Sequence, residues 1–403
     1  MNRAYALMVC LAALALAACG AASAPGAPGA ALPGGAAAAT PAPASAPQAT
    51  QAPAARPAWA GPEWRTDFAK HRVPLNELTP GGPPRDGIPP IDNPKFETVR
   101  QADTWLEDRE PVVLFEQGDD VRAYPLQILI WHEIVNDLVG GVPVMVTFCP
   151  LCNTAIAFDR RLGDTTYTFG TSGLLRNSDL VMWDRQTESL WQQITGEAIV
   201  GELTGKQLAF LPTSIVAWVE YKSAFPGGTV LSRDTGFERP YGQNPYVGYD
   251  AVGQIPFLFN GQLDQRLPAM ERVVTISAGG EDVAYPFSVL QEQRVVNDTV
   301  GGMSVVVFFH PGTASALDGA AIAQGRDVGS GTAFSPILDG QRLTFVFRAG
   351  QIVDEQTGSA WDITGGAISG GHVGKRLAPI VHGNHFWFAW VAFKPGTRIY
   401  RPA

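Results

Sequence analysis

No block of three or more consecutive lysine or arginine residues occurs anywhere in this sequence, and charged residues make up only 17% of it. With a net charge of −9, the chain lacks the basic footprint that nucleic-acid phosphates require. The same deficit argues against a folded surface that binds anionic lipid headgroups. Also missing are a G-x-S-x-G elbow, a phosphate loop, an H-E-x-x-H helix and a dinucleotide fingerprint, which removes the commonest hydrolase and nucleotide-binding readings. Cysteine is scarce, with four in 403 residues. Hydrophobic residues at 45% and this length provide core enough for two or three domains of a globular protein.

The N-terminus has a recognisable address. Arg3 supplies a positive charge, and Leu7 to Ala18 is an apolar stretch too short for an ordinary spanning helix. It ends Leu16-Ala17-Ala18-Cys19-Gly20, which resembles the bacterial lipobox. That resemblance implies a lipoprotein signal peptide over residues 1–18, cleavage before Cys19 and lipid on Cys19. A protein anchored to a membrane by that lipid, outside the cytoplasm in the cell envelope, follows as the expectation. Whether it faces the periplasm from the inner or the outer membrane is left open. Residues 19–60 are nearly all Ala, Pro, Gly, Ser, Thr and Gln, a composition that cannot offset ordering entropy and reads as a disordered tether. Residues 61–109, rich in Pro and Gly but holding Trp64, Phe68 and Leu75, read as an irregular arm.

An internal repeat organises the rest. Glu110 to Ala155 aligns without a gap on Glu271 to Ala316. Ala123-Tyr124-Pro125 meets Ala284-Tyr285-Pro286, and Val135-Asn136-Asp137 meets Val296-Asn297-Asp298. An Asp-x-Gln-Thr-x-Ser-x-Trp box recurs at Asp184 to Trp191 and Asp354 to Trp361. Each copy closes on Ala-Trp-Val, at Trp218 and Trp390. This predicts repeat 1 over 110–235, a linker over 236–270 and repeat 2 over 271–403. Short β-branched and aromatic runs separated by Gly-Gly turns predict a mainly β, predominantly antiparallel fold. A short helix is expected after Tyr124-Pro125 and another over Ile215 to Ala224. The two copies are expected to pack as one pseudo-symmetric body.

What both copies hold is explained first by folding: the Asp–Trp box and the Asn-Asp pair suit hydrogen-bonded turns and core. What one copy holds alone points to chemistry. Cys149 and Cys152 occur only in the first copy, following the strand-like run Val144 to Phe148. Opposite Cys149 stands His310, and near the end of the second copy come His382-Gly383-Asn384-His385. Two thiolates and two imidazoles suit zinc or copper. Cys149 and Cys152 with His310, His382 and His385 are therefore the candidate metal ligands, converging if the copies face each other. Arg176, Asn177 and Asp179 are polar within an apolar stretch and are candidates to line the site. The C-x-x-C spacing equally permits a metal-free thiol–disulfide oxidoreductase, or a structural disulfide in a non-catalytic binding or scaffold module.

Several segments together are similar to a bacterial and archaeal family catalogued as domain of unknown function 3179. They are Phe148 to Ala155, Ser172-Gly173-Leu174-Leu175 with Asn177-Ser178, the Asp184 to Trp191 box, and His385 to Trp390. Asp86 to Pro89, Asp92-Asn93-Pro94 and Asn244-Pro245-Tyr246 add to the likeness, which covers roughly Gly81 to Arg401. The resemblance implies a secreted or membrane-anchored setting and carries no activity with it.

Overall fold

Two successive glycines allow positive φ at both central positions of a turn, the requirement of the two-residue hairpin that matches strand twist. Gly140-Gly141 (φ +53° and +79°) and Gly301-Gly302 (φ +51° and +86°) both meet it. The computed structural model describes residues 56–402, so the signal peptide, Cys19 and most of the proposed tether lie outside the described residues.

The fold is mainly β, with several antiparallel sheets and short helices. In the first stretch come β1 (Pro111–Gln117), β2 (Asp120–Pro125), α1 (Leu126–His132), β3 (Ile134–Val139), β4 (Val142–Cys149) and β5 (Thr154–Asp159). Then follow β6 (Phe169–Arg176), β7 (Asp179–Asp184), β8 (Leu190–Gln192), β9 (Thr213–Ala217) and α2 (Trp218–Ala224). The second stretch repeats the opening order with β10 (Arg272–Ala278), β11 (Glu281–Pro286), α3 (Phe287–Gln293), β12 (Val295–Val300), β13 (Met303–His310) and β14 (Ser330–Phe334). It closes with β15 (Gly383–Phe386) and α4 (Trp387–Phe393). β1 is flanked by β2 and β9, as β10 is by β11 and β15. β3, β4 and β5 form one meander, β12, β13 and β14 another, and β6, β7 and β8 a third.

The shared motifs are folding devices, as expected. Asn136 donates to the Phe169 carbonyl (2.8 Å) and accepts from its N–H (3.0 Å). Asn297 makes the same pair with Phe345 at 2.7 and 3.0 Å. Asp184 accepts from the Thr187 N–H (2.7 Å) and from Trp191 Nε1 (2.9 Å). Asp354 does so from Thr357 and Trp361 at 2.6 and 3.0 Å.

The closing segments correct the sequence alignment. Trp218 and Trp387, rather than Trp218 and Trp390, take the first position of α2 and α4. The Ala-Trp-Val triplet misleads because it opens the first helix and lies in the middle of the second. Residues 215–217, expected to be helical, are strand, as β-branched Ile215 and Val216 favour. Residues 56–109 hold little regular structure beyond short strands at Thr79–Pro80 and Phe96–Thr98 and a helical turn at Val99–Ala102. Trp64 and Phe68 pack with Leu174, Val181 and Trp183 in a small core of their own, and the Arg85 guanidinium lies over the rings of Trp64 (4.6 Å) and Trp183 (4.5 Å).

The main core is shared between the stretches. One cluster joins Val146, Phe148 and Ile156 to Phe386, Trp387 and Phe388, and another joins Val112, Val216 and Trp218 to Phe308, Phe334 and Trp361.

Candidate metal centre

A C-x-x-C pair at a strand end is useful only if the turn after the first Cys folds the second back beside it. Pro150 fixes φ at the first position of a single 3-10 turn, Pro150–Cys152, and Asn153 leaves it in the left-handed region (φ 51°, ψ 38°). β5 then starts at Thr154, which pairs with Cys149. The two thiols thus sit on one turn, both buried, both free.

A second turn meets them. Asn177 (φ +51°) and Ser178 (φ +68°) join β6 to β7 with two consecutive residues in the left-handed region. Neither is glycine, so the backbone carries strain of a kind that persists where surroundings hold it. The turn aims the Ser178 carbonyl at Cys152 Sγ (3.4 Å) and Cys149 Sγ (3.9 Å). It also sets Asp179, the first residue of β7, beside the sulfurs. One ligand atom from each of Cys149, Cys152 and Asp179 lies within 4.8 Å of the other two.

Asp179 is fully buried. Its Oδ2 accepts from Gln192 Nε2 (2.6 Å) and the Ile194 N–H (3.0 Å), while Oδ1 has no partner. Burial raises its pKa to about 6 against the pull of those hydrogen bonds. Glu133 adds to the group. It ends α1 with φ +58°, is 7% exposed, and has its pKa raised to about 8 by burial and by the charge of Asp179. Its carboxylate has no hydrogen-bond or ion-pair partner among the described residues. It lines a cavity of about 100 Å³ walled by Leu151, Leu180, Tyr246 and Phe257. Burial pushes the Cys149 and Cys152 thiols up as well, Cys152 strongly. Two thiols and two carboxyls are therefore gathered in apolar surroundings, and no lysine, arginine or histidine pairs with Asp179 or Glu133 among the described residues.

The linker covers this group. Tyr249 donates its hydroxyl to the Leu151 carbonyl (3.0 Å), and the Ser178 hydroxyl donates to the Phe257 carbonyl.

The expected ligands are only partly brought together. Cys149 and Cys152 converge with Asp179, which the sequence marked as lining. The histidines lie elsewhere. His310 Nδ1 is 2.8 Å from Glu220 Oε1 on α2, and its side chain is 57% exposed. His382 and His385 are buried at 6% and 2% exposure on a separate cavity of about 500 Å³, lined by Ile156, Ile194, Phe210, Trp390 and Lys394 among others. His385 Nδ1 is 2.8 Å from Thr154 Oγ1, and its ring stacks on Trp390 (5.1 Å between centroids, 15°). Arg176 is engaged by Glu77 at 2.7 Å, and Asn177 contributes the turn. Glu133 was missed by sequence reasoning. Its signal was the same asymmetry that marked the thiols, since the aligned position in the second copy is Arg294.

A metal suits the group on its own chemistry. Thiolates and a carboxylate are zinc ligands, and a thiolate pair also suits copper. The unpartnered Asp179 Oδ1 is the orphaned acceptor that a cation would satisfy, and a bound cation reverses the upward push on both thiols.

A family model described as "Protein of unknown function (DUF3179)" matches residues 85–397. No curated protein and no solved structure matches the chain.

Proposed function

Since the chain belongs to the domain of unknown function 3179 family, which brings no activity with it, we propose from the site alone that Cys149, Cys152 and Asp179 hold a transition metal ion, zinc or copper. The carrying observation is the buried Asp179 Oδ1, without a partner, within 4.8 Å of two free thiols. A three-residue set leaves a fourth position for water or a ligand, the pattern of a reactive rather than a sealed structural zinc site. Glu133, facing the adjoining cavity, is the group placed to hold a proton near that position. The ion would supply Lewis acidity or, for copper, electron transfer.

A metal-free thiol–disulfide oxidoreductase fits less well. Such a thiol needs its pKa lowered, and burial here moves both thiols the other way.

The test is metal analysis of the purified chain with thiols counted in parallel. A metal count that falls by one ion per chain in each of Cys149→Ser, Cys152→Ser and Asp179→Asn while the fold is kept supports the reading. Absence of metal after growth and refolding in zinc and in copper, or an undiminished metal count in Asp179→Asn, overturns it.

The same reading includes the setting. The Leu16-Ala17-Ala18-Cys19-Gly20 run supports a lipid on Cys19 that tethers the centre to a membrane on its extracytoplasmic side. Incorporation of labelled palmitate that disappears in Cys19→Ala tests this.

A further inference from the structure

The histidine cavity is distinct from the thiol group, and its two rings are set up alike. The Ile380 carbonyl, 2.9 Å from His382 Nδ1, can only accept. His382 therefore carries its proton on Nδ1, and its Nε2 lone pair is bare apart from the Ser214 hydroxyl at 3.5 Å. Thr154 Oγ1 donates to the Cys152 carbonyl at 3.1 Å, so it accepts from His385 Nδ1–H at 2.8 Å. His385 too presents a bare Nε2. A histidine that donates one ring N–H to a carbonyl or hydroxyl and keeps the other nitrogen free has the outer hydrogen bond of a metal-ligating histidine.

Gly383, between them, supplies an independent observation. A Cβ at this position would lie 2.0 Å from His385 Nε2. The His385 ring therefore folds back along β15 onto Gly383, into space that any other residue would fill, on the cavity that His382 also lines. The aligned residue of the first stretch is Ser214 in β9, and no histidine pair occurs there. Folding therefore does not require the His-Gly-Asn-His run. Burial keeps both rings neutral, with pKa values lowered to about 4 and about 3.

We propose that His382 and His385 form a second, thiol-independent site for a borderline divalent cation, Cu²⁺ or Zn²⁺, bound through both Nε2 atoms at the wall of the 500 Å³ cavity. Water completes the shell. Gly383 and Thr154 are positioning residues: the first admits the ring, and the second fixes its tautomer.

Copper titration of the folded chain, read by pulsed electron paramagnetic resonance in wild type and in variants, tests this. Equatorial Nε2 coordination shows the remote Nδ1 as nitrogen modulation, with a two-imidazole pattern. The expected result is that this signal survives in Cys149→Ser, which lacks the thiol centre. It is lost in His382→Gln and His385→Gln. Gly383→Ala and Thr154→Val should weaken copper binding by roughly 10–100-fold, while Gly396→Ala, with open space at its Cβ, leaves it unchanged. Absence of imidazole modulation in the wild-type chain overturns the proposal. So does a signal that persists in the His382→Gln/His385→Gln double variant, or sulfur and imidazole ligation on one ion. Because the readout is taken in Cys149→Ser as well, failure here is separable from failure of the thiol centre.

Discussion

Glu133→Gln should remove from the metal-free protein a loss of stability that sets in as pH rises. The carboxyl is moved from an ordinary 4.5 to about 8 by burial and by Asp179. Between those values the folded state holds a proton that the unfolded state has released. Stability therefore falls as pH rises through this window, the reverse of a salt-bridged carboxylate. A displacement of that size corresponds to on the order of 5 kcal/mol, and relaxation with water entry reduces it to roughly 2–3 kcal/mol. Asp179, raised to about 6, adds loss of the same sign below Glu133's range, and the pair titrates together. Urea unfolding of chelator-treated protein at pH 5 and pH 8 should show Glu133→Gln gaining about 2–3 kcal/mol on wild type over that interval; the buried His382 and His385, held below the ordinary 6.5 by burial, add a rise between pH 5 and pH 7 that is common to both chains and cancels in the comparison. Added zinc should restore the loss at pH 8, because a cation replaces the protons. Equal pH slopes for wild type and Glu133→Gln, or a wild type that gains on Glu133→Gln as pH rises, would refute the reasoning.

Other outcomes follow from the same geometry. Asn136→Ala should destabilise by about 2–3 kcal/mol in urea unfolding, because it strips the buried Phe169 N–H and carbonyl of their partners. Asp184→Ala should cost a similar ~2–3 kcal/mol by orphaning Trp191 Nε1 and the Thr187 turn, and Asp354→Ala should match it. The Glu220 carboxylate holds the His310 imidazole above its ordinary 6.5. Its contribution is therefore complete below pH 6.5 and is lost as pH rises through the raised value. Because His310 is exposed, Glu220→Gln should remove only a few tenths of a kcal/mol through this pair, seen as a small loss of stability at pH 5.5 and a smaller one at pH 8.5.

Strand positions were legible where period and turn chemistry agreed. Val142 to Phe148 is apolar, follows Gly-Gly and is a buried strand. The short helix after Pro125 was legible from an equally local signal, a proline suited to a first helical turn. Non-local facts were not. Nothing in the order of residues says that Thr154 meets His385, or that His310 meets Glu220. The expectation that His310 would join Cys149 assumed that aligned positions converge, yet alignment fixes equivalent places in two stretches, not neighbouring ones. Asp179 drew notice as a polar residue in an apolar run. Glu133 did not, because it follows an apolar helix and reads as an ordinary strand start. In the structure it is the C-cap of α1, in the left-handed region (φ 58°), and is buried.

The sharing of core between the two stretches has a consequence for how the chain is made. β15 pairs with β10 and also carries His385 onto Thr154 of β5, while Arg272 of β10 approaches Asn153 beside the thiol turn. The wall over Phe148 and Ile156 includes Phe386, Trp387 and Phe388, synthesised more than two hundred residues later. A nascent chain stopped before residue 383 has nothing to close that wall, and its apolar strands stay open to other chains. Contacts so distant in sequence form late and slowly. Closure of that wall thus waits until β15 and α4 have been made, and a C-terminal truncation within α4 should yield aggregated chain rather than a working first half.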